Sequence, residues 1–203
     1  MADEYVSQAE FKATHLLTGQ SYADADIDLA LEAASRAIDD VCGRAFYEFD
    51  PSNDQTRYYS PKQTRLLIVD DICGFTSLTL DTDGDGTFDT ELTADTDFIF
   101  EPENADAEGK PYTMIRLHPN CAYGFPMSYP RSVELVGHFG WLAVPKVVKQ
   151  AAALYAERLL KRSREAPFGI AALAIEGAAM RIARTDPDIV ALISPLRRNW
   201  GIA

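Results

Sequence analysis

Six residues in the middle of the chain, Asp81-Thr82-Asp83-Gly84-Asp85-Gly86, carry side chains suited to binding a cation. Carboxylates at alternate positions ahead of a glycine are how a calcium-binding EF-hand loop begins. The match is incomplete, because the twelfth position of the loop is Leu92 where an EF-hand has glutamate. The pattern leaves two interpretations open. Either Asp81, Asp83 and Asp85 hold a calcium ion, or the Asp-Gly pairs are the turns of a β-hairpin.

No other group of residues predicts catalysis or a bound cofactor. The sequence contains no nucleophile elbow, no phosphate-binding P-loop and no dinucleotide-binding glycine motif. His15, His118 and His138 lie on separate predicted elements, so no zinc site follows from them. A small hydrolase that uses paired carboxylates is a further alternative, but nothing distinguishes one pair from the rest. We therefore expect a protein that is not an enzyme and has no cofactor.

Charge is distributed unevenly along the chain. The net charge of the 203 residues is −12. Residues 1–144 contain 9 Lys/Arg and 26 Asp/Glu, a balance of −17, whereas residues 145–203 contain 10 and 5, a balance of +5. An acidic body argues against nucleic-acid binding through phosphate contacts, which requires a basic face. The basic end is suited to an acidic partner or to the acidic body of a neighbouring copy.

The segments that would position these residues divide into helices and strands. The Ser7–Glu10 capping box predicts a first helix, which ends at Thr18-Gly19. A second helix is predicted over 24–42 and is capped by Gly43. Its apolar stripe consists of Ile27, Leu31, Ala34, Ile38 and Val41. Residues 58–140 contain seven candidate strands, at 57–59, 65–69, 77–80, 87–92, 98–100, 113–117 and 132–139. A third helix opens at Pro145. The predicted fold class is α+β, a bundle of about four helices with an inserted antiparallel β-module.

The C-terminal end has the features of a docking segment. Thr185-Asp186-Pro187-Asp188 is a helix-start signal, and a short helix to Ser194 is broken by Pro195. Arginine and tryptophan, the residue types that anchor interfaces, follow at Arg197, Arg198 and Trp200. The segment is suited to packing against its own domain or against a partner. The sequence shows no membrane span and no signal peptide, and its three dispersed cysteines predict reduced thiols.

The order of several short motifs carries a family resemblance. They are Ala33-Ala34-Ser35-Arg36-Ala37-Ile38-Asp39, Cys42-Gly43-Arg44-Ala45-Phe46, Arg57-Tyr58-Tyr59, the Asp-Gly-Asp-Gly hairpin, Gly137-His138-Phe139-Gly140-Trp141 with Val144-Pro145, Pro167-Phe168-Gly169, Thr185-Asp186-Pro187-Asp188 and Pro195-Leu196-Arg197-Arg198. In this order the chain resembles the head-to-tail connector, or adaptor, proteins of long-tailed bacteriophages. The resemblance covers nearly the whole chain. The Ala-rich stretch 171–180 and the last five residues depart from it.

The resemblance implies a structural virion protein at the capsid vertex. Such adaptors form a ring, usually of twelve copies, between the portal protein and the next neck or tail-completion protein. The ring extends the channel through which DNA passes without specific binding, and the protein is made in the cytoplasm of the bacterial host. Carried onto this chain, the resemblance implies N-terminal helices at 1–45, an inserted β-module at 46–143, a ring-wall helix at 144–165 and a portal-docking segment at 166–203. The portal-interface residues it implies are Asp186, Asp188, Leu192, Leu196, Arg197, Arg198 and Trp200.

Overall fold

A computed structural model describes residues 4–15, 22–165, 170–172, 179–181 and 187–198. The helices are α1 Gln8–His15, α2 Asp24–Cys42, α3 Lys146–Glu165 and α4 Pro187–Ile193, with a 3-10 turn at Ser194–Leu196. The strands are β1 Gln55–Tyr59, β2 Leu66–Leu80, β3 Thr90–Leu92, β4 Phe98–Glu101, β5 Tyr112–Leu117, β6 Val133–Phe139, β7 Ile170–Ala172 and β8 Ala179–Arg181. The chain forms two compact units, Met1–Phe46 with Val144–Ala203, and Tyr47–Ala143. The predicted fold class, α+β with a helical bundle and an inserted antiparallel β-module, is confirmed.

The helical unit is built around α2 and α3, which pack against each other. The α2 stripe is buried at Ile27, Leu31, Ala34 and Ile38, as its spacing predicts, but Val41 is 45% exposed. On α3 the buried side chains are mostly small, which allows the two helices to approach closely. They are Val148, Ala151, Ala152, Ala153, Ala156 and Leu160.

Local signals set the helix ends as the sequence predicts. The Ser7 hydroxyl accepts the Glu10 N–H at 3.2 Å, which is half of the predicted capping box. Gly43 ends α2 in the left-handed conformation, with φ of 64°, and donates its N–H to the Asp39 carbonyl. The predicted end of the first helix at Thr18-Gly19 and the Pro167-Phe168-Gly169 motif lie outside the described residues.

The β-module is one antiparallel sheet in the order β1-β6-β2-β5-β4, with β3 also paired to β2. Two of the predicted strands, 65–69 and 77–80, are the ends of the single 15-residue strand β2. β2 pairs with β5 through Leu66–Ile72 and with β6 through Ile72–Leu80, and its register shifts at three places. These bulges let one strand bend far enough to join both partners. The prediction of two separate strands at 65–69 and 77–80 was therefore wrong.

The inner face of the sheet holds the core of the β-module. Its buried side chains come from β2, β4, β5 and β6 and include Leu67, Leu78, Phe98, Ile115, Leu135 and Phe139. Phe75, Phe98 and Phe100 pack edge to face, with ring centroids 5.2–5.6 Å apart. These aromatic side chains of the β-module thus pack within its own core.

The chain 170–181 contains two strands that the sequence did not predict. β7 and β8 form an antiparallel pair in which Ala171 is opposite Met180. Alanine has low strand propensity, so composition gives little indication of this ribbon.

Candidate assembly surfaces and the acidic loop

Residues 81–86, which we call the acidic loop, lie between β2 and β3, and these two strands form an antiparallel hairpin. Asp81 is buried, and its two carboxylate oxygens accept the N–H groups of Gly84 at 2.7 Å and Gly86 at 3.0 Å. Gly84 and Gly86 both have positive φ, 83° and 88°. The predicted hairpin with Asp-Gly turns is therefore confirmed. The Asp81 carboxylate stabilises the turn through its two hydrogen bonds to the backbone.

The three loop carboxylates are also close enough to share a cation. Ligand oxygens of Asp81, Asp83 and Asp85 lie within 4.8 Å of one another. Asp83 accepts the Asp85 N–H at 3.2 Å, and Asp85 accepts the Thr87 N–H at 2.7 Å. The loop geometry is thus explained by side-chain to backbone hydrogen bonds, which require no ion. Metal binding by this triplet stays a prediction.

Tyr129 packs against the same loop, and the loop carboxylates affect its pKa. Its hydroxyl donates to the Asp81 carbonyl at 2.7 Å. Desolvation, followed by the negative charges of Asp81, Asp83 and Asp85, raises the pKa of Tyr129. The ring lies over Gly84, where an added Cβ would be 3.1 Å from the nearest ring carbon.

The C-terminal segment folds onto its own helical unit. Ile189 and Ile193 of α4 are buried, and α4 packs against α3. Arg197 donates from Nε to the Val41 carbonyl at 3.1 Å, and the backbone N–H of Arg198 donates to the Cys42 carbonyl at 2.8 Å. These donors satisfy carbonyls at the C-terminal end of α2, where the helix dipole also favours a cation.

The other predicted portal-interface residues are placed as follows. Asp188 is 80% exposed and lies 4.0 Å from the Arg158 guanidinium. Leu192 and Leu196 are half-buried. Asp186 and Trp200 lie outside the described residues. The structure thus places Arg197 and Arg198 in contact with their own helical unit, one of the two possibilities that the sequence left open, and the portal interface stays a prediction.

A polar network anchors the start of the chain to α2. The Tyr5 hydroxyl donates to Asp39 and accepts the Phe46 N–H at 2.8 Å, and the Tyr5 N–H donates to Ser35 at 3.1 Å. Burial raises the pKa of Tyr5, and the Asp39 hydrogen bond adds to that rise. Burial also raises the pKa of Asp39. Ser35 and Asp39 belong to the first resemblance motif, so that motif has a structural role here.

The Gly-His-Phe-Gly-Trp motif is likewise structural. Gly140 has φ of 112°, and an added Cβ would be 2.0 Å from the Tyr47 carbonyl oxygen. The Trp141 indole donates to the buried carboxylate of Asp71 at 3.0 Å, and the Gly140 N–H donates to the Asp71 carbonyl at 2.8 Å. The end of β6 is thereby fixed to the middle of β2.

His138, in the same motif, lies between two carboxylates. Its Nδ1 is 2.7 Å from Glu48, and its Nε2 is 3.0 Å from Asp54. The Asp54 carboxylate also accepts the Thr76 hydroxyl at 2.8 Å. The imidazole joins the segment ahead of β1 to β6. The sequence carried no signal for this cluster, because Asp54 and Glu48 are 84 and 90 residues from His138 along the chain.

Comparison with solved structures shows which known chains share this fold. A chain from the neck of an empty gene transfer agent (GTA) particle, solved with C6 symmetry, aligns with a TM-score of 0.56 and 20% identity, covering 100% of this chain and 94% of that one. A chain from the virion of a native gene transfer agent particle aligns with a TM-score of 0.53 and 21% identity, covering 98% and 92%. The chain shares their fold. The sequence matches no protein-family profile and none of the curated proteins.

The fold shared with these chains agrees with the resemblance to head-to-tail connectors. The alignment extends over both units, so the likeness includes the helices as well as the β-module. Within the described ranges, no helix is both long and apolar enough to span a bilayer.

Proposed function

We propose that this chain is a structural neck protein of a virion, a head-to-tail adaptor that forms a ring between the portal protein and the next neck or tail protein. The observation that carries the proposal is the shared fold with a neck chain over 100% of this sequence and 94% of that one. A likeness of that extent covers the whole chain and is not limited to a single module that unrelated proteins could share. The order of the resemblance motifs along the sequence supports the same role independently.

The proposed ring is a closed cyclic assembly. The related neck was solved with C6 symmetry, and a ring of twelve copies contains a six-fold axis. Twelve copies, the number that the resemblance implies, agree with this symmetry and are the number we propose. A homo-oligomer of this kind needs no catalytic residue, so the proposed role is not enzymatic.

The acidic body is suited to lining a path for DNA. A balance of −17 over residues 1–144 repels phosphate, and repulsion keeps a passing duplex from binding to the wall. The proposed channel thus guides DNA without reading its sequence. In this role the protein is made in the bacterial host and is located at the capsid vertex.

Residues 186–203 are the segment we assign to the portal. On the described part of it, Arg197 and Arg198 are fixed against α2, whereas Asp188 and Val190 are exposed, the latter by 38%. The α2 contact gives the segment a defined direction. We propose that its exposed side chains, rather than the two arginines alone, contact the portal.

A calcium-binding adhesion or scaffold module is the alternative that the acidic loop favours, since three carboxylates lie within 4.8 Å of one another. Calorimetry with calcium on the wild type and on Asp83→Asn separates the two roles. Tight binding that the substitution abolishes, together with oligomerisation that a chelator reverses, would support the alternative.

The adaptor role is tested in particles from the strain that encodes the chain. We expect an antibody fragment raised against the β-module to label the neck in cryo-electron micrographs. We expect a null allele to give DNA-filled heads without tails. The proposal would be contradicted by wild-type particles that lack the chain, or by particles of the null strain that still carry tails.

A further inference from the structure

Two helices of the same unit carry opposite charge. α2 has six acidic residues and one arginine, a net charge of −5. α3 has six basic residues and two glutamates, a net charge of +4. The helices pack together through their apolar stripes, but each also has an outward face.

The outward face of α2 is an exposed apolar strip bordered by acids. Ala25, Leu29 and Ala33 are spaced by four and are all exposed, and Leu29 is exposed by 67%. Asp26 and Glu32 flank them and are exposed as well. The half-buried Arg36, which pairs with Asp39 at 3.3 Å, lies on the same side of the helix. At 100° per residue this face is opposite the buried stripe of Ile27, Leu31 and Ile38. We call these five exposed residues the acidic face.

A second observation marks the acidic face as a place of concentrated negative charge. Glu4 lies beside it, and partial burial raises the pKa of Glu4, with the negative charges of Asp28 and Glu32 adding to the rise. A cationic surface placed here would relieve that repulsion.

The outward face of α3 has the complementary character. Val147 is 41% exposed, Gln150 is exposed and Leu154 is half-buried, which gives a shallow apolar strip. Arg158 and Lys161 continue the same face toward the C-terminal end of α3, with side chains 43% and 39% exposed. Arg158 lies 4.0 Å from Asp188 and Lys161 pairs with Glu157 at 2.5 Å within the same chain. We call Val147, Gln150, Leu154, Arg158 and Lys161 the basic face.

We infer that the acidic face of one copy docks on the basic face of the next copy, in a head-to-tail contact that repeats around a ring. The occupant is a second copy because complementary charges lie within one sequence: acids border the exposed apolar strip of α2, and cations lie beside the apolar strip of α3. Each outward face is opposite the stripe by which α2 and α3 pack on each other. One copy therefore offers its two faces to two different neighbours, as a heterologous interface requires. The inference rests on the proposed ring and names the surfaces that build it.

Cross-linking tests the pairing of the faces directly. Ala33→Cys and Gln150→Cys place a thiol on each face at exposed positions. We expect a short bismaleimide to link residue 33 to residue 150 only when the two variants are mixed, with the linked peptides identified by mass spectrometry. The wild type controls for Cys42, Cys73 and Cys121. Links between two residues 33 would mean a two-fold contact and would overturn the inference.

Association of the full chain provides the second test. By sedimentation equilibrium we expect Leu29→Glu to raise the dissociation constant at least tenfold, because it places a charge in the apolar strip. Leu142→Glu is the matched control, since Leu142 is exposed by 71% and belongs to the β-module, and we expect no change beyond about twofold. Equal effects of both substitutions, or a chain that stays monomeric at every salt concentration, would overturn the inference.

The role and the interface can fail separately. A Leu29→Glu chain that is still labelled at the neck and still self-associates rejects these faces and leaves the adaptor role standing. A wild-type chain that self-associates through these faces but is absent from particles rejects the adaptor role.

Discussion

Trp141 and Asp71 show at the residue scale how the resemblance motif at the end of β6 stabilises the β-module. The carboxylate of Asp71 is only 5% exposed, and the Trp141 indole is one of its donors at 3.0 Å. A buried carboxylate that loses a donor is costly, because water cannot replace it.

We predict that Trp141→Phe lowers the free energy of unfolding by about 1–3 kcal/mol. Urea denaturation followed by circular dichroism measures the effect. In an Asp71→Asn background the same substitution should lower the free energy of unfolding by less, because a buried amide without a hydrogen-bond donor costs less than a buried carboxylate without one. Equal costs in the two backgrounds would show that lost ring packing, rather than the hydrogen bond, explains the change.

The hairpin glycines are a second case at the residue scale. At Gly86 an added Cβ has open space, so Gly86→Ala tests the positive φ alone, and we expect a loss of about 1–2 kcal/mol. At Gly84 the Tyr129 ring is also in the way, so Gly84→Ala should cost more. Asp83→Asn should cost less than either glycine substitution, because an amide oxygen can still accept the Asp85 N–H. Thermal unfolding of the three variants gives the order, and a larger effect for Asp83→Asn would contradict a loop held by its backbone conformation.

Cys73 provides a prediction about pH. Burial, with Glu48 and Asp71 adding to it, raises the pKa of this thiol to about 11. Since the thiolate is the reactive form, we expect slow alkylation at pH 7 and a rate that still rises between pH 9 and pH 11. An ordinary thiol approaches its maximum rate within about one unit above its pKa of roughly 8.5. Iodoacetamide labelling read by mass spectrometry at each pH checks this, and a plateau by pH 9 would refute it.

At the scale of elements, α4 and the turn after it are both a folded part of the helical unit and the proposed portal contact. Removal of residues 186–203 deletes the buried side chains of Ile189 and Ile193 and the donors to Val41 and Cys42. We therefore expect the truncated chain to melt at a lower temperature, with a loss of several kcal/mol, because each buried isoleucine contributes about 2–5 kcal/mol against alanine. An unchanged melting temperature would mean that the segment is not packed on the unit in solution.

Portal docking needs a variant that leaves this packing intact. Val190→Glu alters a side chain that is 38% exposed on α4, and Leu142→Glu is its control, at a position of the β-module that is 71% exposed. We expect only Val190→Glu to reduce the fraction of heads that gain tails. A control that reduces it equally would place the contact elsewhere.

At the scale of the whole molecule, net charge opposes the assembly that local charge favours. Copies that each carry −12 repel one another at long range, and salt screens that repulsion over a Debye length of about 8–10 Å. Pairs within a desolvated contact are screened much less. We therefore predict that association strengthens from low to moderate salt, as measured by sedimentation. A stable ring at low salt without portal would mean that attraction between the two faces exceeds the net repulsion.

The sequence by itself determined the local features. Helix α2 begins and ends where its apolar spacing and Gly43 predict, Ser7 caps α1, and the Asp-Gly pairs form a hairpin turn. Each of these depends on residues a few positions apart, so the chain encodes it without reference to the rest of the fold. The fold class followed, since it needs only the order of helical and strand patterns.

Tertiary structure decided what depends on residues far apart in the chain. β2 continues through Asp70 and Asp71 because bulges and two different partner strands accommodate it, and no short-range pattern reports a partner strand. Val41 fits the helical stripe and is nevertheless exposed, since burial depends on which neighbours cover a face. Arg197 reaches the Val41 carbonyl across 156 positions, and the opposed outward faces of α2 and α3 exist only because their inner stripes pack together.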